Sequence, residues 1–582
     1  MMMDLVYVSY NSQKWIEGCF ASLLKSDCDL SQITVYVVDN ASSDDSLQQL
    51  ENAKRMCSDA LRGFHIISNR ENAGFGKANN IGFAEGSSEI VCFLNMDTVL
   101  CKDTLSQLQK QIAQSGQQTG AWELRQFPYE HPKIYDALTH ETEWCSGAAF
   151  AIRRELYRKI GGFDETIFMY AEDVDLSWRL RIGGYTIQYC PTAVIYHYSY
   201  QNAGEVKPNQ YINCIVNSLL LRYRFGSWAD VLEGHLRLLR QFFKAEVFED
   251  FRKILLRRYL QHFRQSFAFL RSRKNYRNKN FKPAFNGFDY SQRREGAFYE
   301  NRFPSSNELV SIIVRTCGRP DVLRETLLSL RHQTYQNIEI VIVEDGQDIS
   351  RNMLETEFSD LNILYAASGG KVGRSKAGNI GMELAHGKYL NFLDDDDLFY
   401  ADHVEVLLSA LENRKERAAY TFAYETPIEV YSKTPYSYKL HGYHQVHRQS
   451  FNKFLLCHHN YIPIQCIMFE KSLFEEHGGL DETLDALEDW DLWVRYSLHT
   501  DFVCVEKTTS IYRVPYDQGK DVKRQKALDD TLRVVREKHK DYVQTFRVYD
   551  VAEAYESILS ATSLKQKLRT YLDFRKYIGR DR

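Results

Sequence analysis

The sequence predicts an α/β protein built from two copies of one domain, each on a parallel sheet. Three observations predict it: apolar β-branched segments alternate with helical stretches, the series recurs in the same order, and its strands end on acids. Strands apolar on both faces and separated by helices imply a parallel sheet covered by helical layers. An internal repeat sets the architecture before any single motif does.

The first copy opens with Leu5-Val-Tyr-Val-Ser-Tyr-Asn11, a helical stretch, and Ile33-Thr-Val-Tyr-Val-Val-Asp39. The second repeats this as Val310-Ser-Ile-Ile-Val-Arg-Thr316 and Ile338-Glu-Ile-Val-Ile-Val-Glu-Asp345. Next, Asn72-Ala-Gly74-Phe-Gly76 with Asn79-Asn80 answers Val372-Gly373 with Gly378-Asn379. A strand capped by acid follows in each, Ile90 to Asn95-Met-Asp97 and Tyr389 to Asp394-Asp-Asp396-Asp397. The last shared block is Gly-Gly-x-Asp-Glu leading to Glu172-Asp173-Val-Asp175 or Glu488-Asp489-Trp-Asp491. The expected divisions are a first domain over 1–205, a basic helical linker over 206–305, a second domain over 306–520 and a helical tail over 521–582.

The linker holds 16 Lys and Arg against 5 Asp and Glu between Arg222 and Lys282, and the tail ends in Lys565, Lys567, Arg569, Arg575, Lys576, Arg580 and Arg582. Such a stretch is a solvated helical face, a dimer surface, or a peripheral contact with anionic lipid. The whole chain, 582 residues long, has a net charge of -4, which argues against a nucleic-acid binder held by overall charge. The start Met-Met-Met-Asp4 lacks the pattern of a signal peptide, and no apolar run approaches the roughly 18 residues of a membrane span. Twelve cysteines without a C-x-x-C pair read as thiols of a reducing compartment. A cytoplasmic protein is expected, possible membrane contact being peripheral at the inner face.

In sheets of this kind ligands bind beyond the carboxyl ends of the strands, where Asp39, Asp97, Asp345 and Asp396 stand. Carboxylates at alternate positions give hard oxygen ligands for Mg²⁺ or Mn²⁺, with positions left for phosphate oxygens. The alternative is a solvated acidic loop. Asp39 or Asp345 can accept from a nucleobase N–H or a ribose hydroxyl, or cap a helix. Acids at a helix start suit its dipole, which explains Glu172-Asp173 and Glu488-Asp489 structurally; one of each pair can also serve as general base for a hydroxyl. His197 ends a strand after Asp173, as a further metal ligand or a satisfied structural histidine. His441, His444, His447, His458 and His459, with Cys457 and Cys466, fit no zinc-finger spacing. No P-loop and no nucleophile elbow occurs.

These blocks together resemble glycosyltransferase family 2, over about 1–200 and 308–515; the first copy is similar to rhamnosyltransferase-like members. The resemblance implies the GT-A fold, nucleotide-diphospho-sugar donors, a Mn²⁺ or Mg²⁺ cofactor, and inversion at the anomeric carbon. It implies that Tyr10, Asn11, Asp39, Asn72 and Gly74 in one copy, and Thr316, Arg319, Asp345, Gly373 and Asn379 in the other, meet the nucleotide-sugar. By the same resemblance Asp97, Asp394 and Asp396 hold the metal, Asp173 and Asp489 are the bases, and Trp144, Gly147 and Ala148 form the acceptor side. Asn95 replaces the first metal carboxylate, and Gly378 replaces an arginine. The membrane synthases' Q-x-x-R-W motif is missing. The expectation is a bifunctional transferase building a lipid-linked bacterial surface glycan. One live domain beside an acceptor-holding copy, or a non-catalytic glycan-binding scaffold, are the alternatives.

Overall fold

The computed structural model describes residues 1–198, 205–244, 246–277, 280–296 and 300–561, with the backbone alone at 518–527, 529 and 557–561. The basic cluster from Lys565 to Arg582 lies outside the described residues. The chain forms two compact units, Met1–Arg302 and Phe303–Arg582.

The strands of the first unit are β1 Met3–Ser9, β2 Ile33–Asp39, β3 Gly63–Ser68, β4 Ile90–Asn95, β5 Thr98–Leu100, β6 Thr119–Phe127, β7 Ala149–Arg153 and β8 Thr186–His197. Their order in one sheet is β3-β2-β1-β4-β7-β6-β8-β5. The β3-β2-β1-β4 half is parallel, as the buried apolar runs of β1, β2 and β4 predict; the edge strand β3 is only partly buried. The other half departs from the expected parallel sheet: β7 runs antiparallel to β4 and β6, and β5 antiparallel to β8. A parallel neighbour needs a helical crossover, whereas β7 arrives from the irregular stretch 128–148.

The second unit carries β9 Val310–Thr316, β10 Ile338–Glu344, β11 Ile363–Ala367, β12 Tyr389–Asp394, β13 Leu398–Phe399, β14 Ala418–Lys433, β15 Tyr436–Leu440, β16 His444–His447, β17 Ile467–Glu470 and β18 Phe502–Pro515. Its order, β11-β10-β9-β12-β17-β14-β18-β13, reproduces the first sheet strand for strand, and β15 and β16 pair with β14 as additions. Both units are GT-A domains by this topology, each with helices around a mixed sheet. No helix among the described residues is long and apolar enough to cross a membrane. The cysteines are free thiols, most of them buried or partly buried.

The repeat extends past the sheets. In the first unit the helix Pro208–Phe225 brings Arg224 to Asp175 at 2.5 Å and Asp164 at 2.6 Å, beside the Arg179–Asp175 pair at 2.7 Å. In the second, the helix Gln518–His539 brings Lys538 to Asp481 at 2.6 Å and Asp491 at 2.9 Å, while His539 meets Asp491 at 2.9 Å. A fully buried carboxylate, Asp175 or Asp491, is thus held by its own helix and by the helix that follows the sheet. The helices Trp228–Phe242 and Phe251–Ser272 pack on Pro208–Phe225 through Leu219, Leu220, Leu238, Leu255 and Phe269.

Replacing Arg224 with Met leaves Asp175 and Asp164 short of their shared cation. The first unit should lose about 3 kcal/mol of stability, seen as an earlier transition in urea unfolding of the full chain. An unshifted transition would show that Arg179 alone suffices.

Candidate active site

In the first unit, Asp97 and His197 end the two adjacent strand segments, their rims set by the Thr98–His197 register of β5 and β8. His197 Nε2 lies 3.4 Å from Asp97 Oδ1, and its Nδ1 is 2.8 Å from Gln126 Oε1. Burial would raise the Asp97 pKa, but the hydrogen bond and charge of His197 bring it below the ordinary carboxylate value.

Across the same cavity, about 460 Å³ in volume, stand Trp144, Gly147, Ala148, Glu172 and Asp173. The acid pair is placed by the left-handed residues Tyr170 and Ala171, which turn the chain into the helix Glu172–Ile182. Asp173 Oδ2 accepts from the Gly147 N–H at 2.8 Å and Oδ1 from the Val174 N–H at 2.8 Å. Burial raises the pKa of both acids, that of Glu172 well above the usual range with Asp173 as second cause. Glu172 Oε2 is buried without a hydrogen-bond partner, so the negative charge is better held on Asp173. The Ala148 carbonyl accepts from the Asn95 N–H at 2.8 Å, tying the Gly147-Ala148 turn to the rim that carries Asp97.

Residues absent from the sequence reading complete the wall. Lys133 pairs with buried Glu123, donates to the Trp144 carbonyl and sits 4.1 Å over the Trp144 ring. Glu123 also accepts from Ser146 N at 3.0 Å. His131 is kept neutral by burial, its pKa pushed down to about 3. A legible signal existed for Glu123, an acid between Trp122 and Leu124 in a strand segment; Lys133 had none, because its stretch has no periodicity.

The nucleotide-side residues divide in two. Asp39 ends β2 beside Ser9; its Oδ2 accepts from Ser42 N at 3.3 Å, and its buried Oδ1 has no partner. Such an acceptor suits a ligand N–H or hydroxyl. Tyr10 is exposed beside it, and Asn11 Oδ1 holds the next loop through Ser43 N at 2.8 Å. Asn72 and Gly74 are structural: Asn72 Oδ1 accepts from Asn40 Nδ2 at 2.8 Å and Gly74 N at 3.0 Å. Gly74, at φ 83°, approaches Phe168 so closely that a Cβ would sit 2.6 Å from its carbonyl oxygen. This contact locks the helix Phe75–Glu85 to the loop before the acid pair.

In the second unit the register makes Glu344, not Asp345, the counterpart of Asp39: Thr316 opposes Glu344 as Ser9 opposes Asp39. Glu344 is spent on Gly318 N at 3.1 Å, Ser350 N at 3.0 Å and Tyr365 Oη at 2.6 Å. Asp345 braces Val372 N at 2.5 Å and Gly373 N at 3.1 Å. Asn379 departs from its expected nucleotide contact, its amide being consumed by Leu480 N at 2.8 Å, Leu480 O at 2.9 Å and Glu482 at 3.0 Å. Gly378 has no room for a side chain, since a Cβ would lie 2.6 Å from Leu480 Cδ1.

The metal-side acids of this unit are also engaged. Arg315 grips Asp394 with two bonds of 2.7 and 2.9 Å and reaches Glu488 at 3.1 Å. Asp395 accepts from Thr316 Oγ1 at 2.7 Å and from Arg319, which meets Asp396 at 3.1 Å. Asp396 and Arg319 line a cleft of about 1100 Å³ whose lining does not include Asp489. Asp489 accepts from Trp490 N at 2.8 Å and Asn460 Nδ2 at 2.9 Å, and burial with Glu488 pushes its pKa up to about 7.

Among the described residues no group of three or more His, Cys, Asp or Glu is arranged as a metal site. The first unit fits a divalent cation by its chemistry: one carboxylate and one imidazole face a cavity with open positions. The second does not fit as it stands, because guanidinium groups occupy the oxygens of Asp394 and Asp395. Of the histidines that fit no zinc-finger spacing, His441 pairs with Glu429 and His447 with Glu425.

Two sheets of one topology, each with acids at the strand ends and an acid pair on a facing helix, define a tandem nucleotide-sugar transferase architecture. The model of glycosyl transferase family 2 matches residues 4–175 and 311–478, and the chain belongs to that family. It is 28% identical over 189 residues to an uncharacterized glycosyltransferase of Rickettsia prowazekii, spanning 32% of this chain and 58% of that protein. Over 61 residues it is 43% identical to the N-acetylglucosaminyl-diphospho-decaprenol L-rhamnosyltransferase of Mycobacterium tuberculosis, 10% of this chain and 20% of that one. The chain therefore spans less than two thirds of the length of these relatives. Among solved structures, S. aureus TarS 1-349 with UDP-GlcNAc matches at 17% identity and TM-score 0.33, covering 46% of this chain and 82% of its own. The mannosyltransferase PcManGT of Pyrobaculum calidifontis with GDP-Man and Mn²⁺ matches at 18% identity and TM-score 0.31, covering 47% and 73%.

With Asp489 as base, turnover by the second unit needs its deprotonated form. In an Asp173→Asn protein, the remaining transfer should rise as pH passes about 7, roughly tenfold per pH unit below it. A flat profile across that range would remove Asp489 from the role.

Proposed function

We propose that the chain is a bifunctional inverting glycosyltransferase that moves sugars from nucleotide-diphospho-sugars to a growing, lipid-linked bacterial surface glycan. The observation that carries this reading is one shared cavity in the first unit, lined by Asp97 with His197 and by Asp173 with Glu172. Asp173, held by two backbone N–H groups, is placed to take the proton of an acceptor hydroxyl that enters beside Gly147 and Trp144. Asp97 and His197 would hold Mn²⁺ or Mg²⁺, which when bound offsets charge on the leaving diphosphate. No side chain of the cavity is needed as a covalent nucleophile, so one displacement inverts the anomeric carbon. The unpartnered oxygen of Asp39 takes the nucleoside. The rhamnosyltransferase relative supports a deoxythymidine-diphospho-rhamnose donor for this unit, and the family resemblance keeps a uridine-diphospho-sugar as the other choice.

In the second unit Arg319, already at the cleft with Asp396, is the cation placed to meet the donor phosphates. The same arginine pairs favour a second reading, in which this unit holds acceptor and transfers nothing. Two sites on one chain keep the intermediate at high local concentration for the next step.

A donor screen with mass analysis of products tests both. Asp173→Asn and Asp489→Asn should each abolish a different transfer, by at least about 100-fold; if Asp489→Asn changes no product, the second reading holds. Chelation should remove the first transfer and added Mn²⁺ restore it. No turnover and no nucleotide binding in any condition would leave a glycan-binding scaffold.

A further inference from the structure

Two helices of the first unit are apolar on more faces than packing uses. The helix Trp228–Phe242 buries Val231 and Leu238 yet exposes Trp228 (62%), Leu232 (62%), Leu236 and Leu239, with Phe243 following. These positions recur every three or four residues, so they form one outer stripe. The helix Phe251–Ser272 buries Phe251, Leu255 and Phe269 yet exposes Leu256, Leu260 (59%), Phe263 and Phe267 (75%) with the same spacing. The stripes flank a common seam: His235 of the first helix lies 3.0 Å from Tyr259 Oη of the second and its ring 6.5 Å from Phe263. Folded monomers rarely leave so much contiguous apolar surface open without a partner.

Charge selects the partner. The helix Phe251–Ser272 contains Arg252, Lys253, Arg257, Arg258, Arg264 and Arg271 and no acid. Lys253, Arg257, Arg264 and Arg271 are exposed, and among the described residues none of them is in an ion pair. Arg240 and Lys244 add to them from the neighbouring helix and its end; of the acids, Asp230 is spent in its own helix cap, Glu233 pairs with Arg237 and Arg222, and Glu246, Glu249 and Asp250 lie in the connecting turn. A second copy laid on this face would set cation against cation. Apolar rows bordered by Lys and Arg match instead a bilayer surface with anionic headgroups.

We propose that the first unit docks on an anionic membrane surface through the helices Trp228–Phe242 and Phe251–Ser272, lying in the interface without crossing it. The same helices back the active-site wall. Phe251–Ser272 packs on Pro208–Phe225 through Arg258 and Asn213 at 2.6 Å, and Pro208–Phe225 supplies Gln210 and Cys214 to the cavity. Docking therefore brings the cavity close to an acceptor anchored in lipid; that consequence rests on the functional reading above, whereas the docking itself does not.

The test is sedimentation of the full chain with phosphatidylcholine vesicles, with and without about 30% phosphatidylglycerol, near physiological salt. Binding to the anionic vesicles should exceed binding to neutral ones at least tenfold. It should fall at least tenfold in Leu260→Glu/Phe267→Glu and, independently, in Arg257→Glu/Arg264→Glu, while thermal unfolding and donor hydrolysis in solution stay at the unsubstituted level. Wild-type protein that pellets with neither vesicle, or variants that pellet as well as wild type, would overturn the proposal. So would a dimer in analytical ultracentrifugation that Leu260→Glu/Phe267→Glu dissociates without any vesicle binding, which would give the face to a second copy. Loss of donor hydrolysis with vesicle binding intact would count against the catalytic reading alone.

Discussion

Ionised carboxylates kept out of water have to be compensated, and both units are organised around that requirement. Strand ends and a helix start bring acids together at one rim of each sheet because this is where backbone N–H groups can hold them. Asp173 is held by Gly147 and Val174, Asp175 by Arg179 and Arg224, and Asp491 by Arg495, Lys538 and His539. The helix that follows each sheet is thereby part of the domain and not an appendage: without its cations, Asp175 keeps only Arg179 and Asp491 only Arg495.

The two units meet the same requirement differently at the strand-end rim. The first leaves one acid and one histidine facing a cavity, with Asn95 as the neutral neighbour. The second packs in Asp394, Asp395 and Asp396 and answers them with Arg315 and Arg319. At the place of His197 the second unit has Tyr512, by the equivalent pairing of β13 with β18. Duplication has preserved the scaffold while the charge at its rim has been rebuilt.

Much of this was legible in the residues. The repeat, its strands and the place of Asp97 at a sheet rim followed from apolar runs ending in acid, because a buried parallel strand has a plain signature; Gly147 and the choice of Asp173 came with the family resemblance, and His197 read equally as a metal ligand or a structural histidine. The antiparallel half of each sheet was not legible, since β6 and β8 carry polar residues amid apolar ones and long irregular connections precede β7. Residue-by-residue equivalence failed by one position at Asp345, where two adjacent acids, Glu344 and Asp345, gave the alignment no way to choose; only strand register decides. The roles of Asn72, Gly74 and Asn379 as loop braces depend on contacts with Phe168 and Leu480, residues distant in the chain, and no local pattern encodes them. Lys133 is a similar case.

The opposing positions Val8 and Asn95 in one sheet are Arg315 and Asp394 in the other. Both members of this pair changed, and neither change is neutral by itself. An arginine opposite Asn95 would lose the two-bond carboxylate partner that Asp394 gives Arg315, and an aspartate opposite Val8 would be a half-buried anion without its guanidinium. Genetic exchange between the two halves of this gene that splits the first strand from the fourth would therefore yield a damaged hybrid. That cost is a barrier to homogenisation of the repeats, and it helps two once-identical halves to drift toward separate tasks.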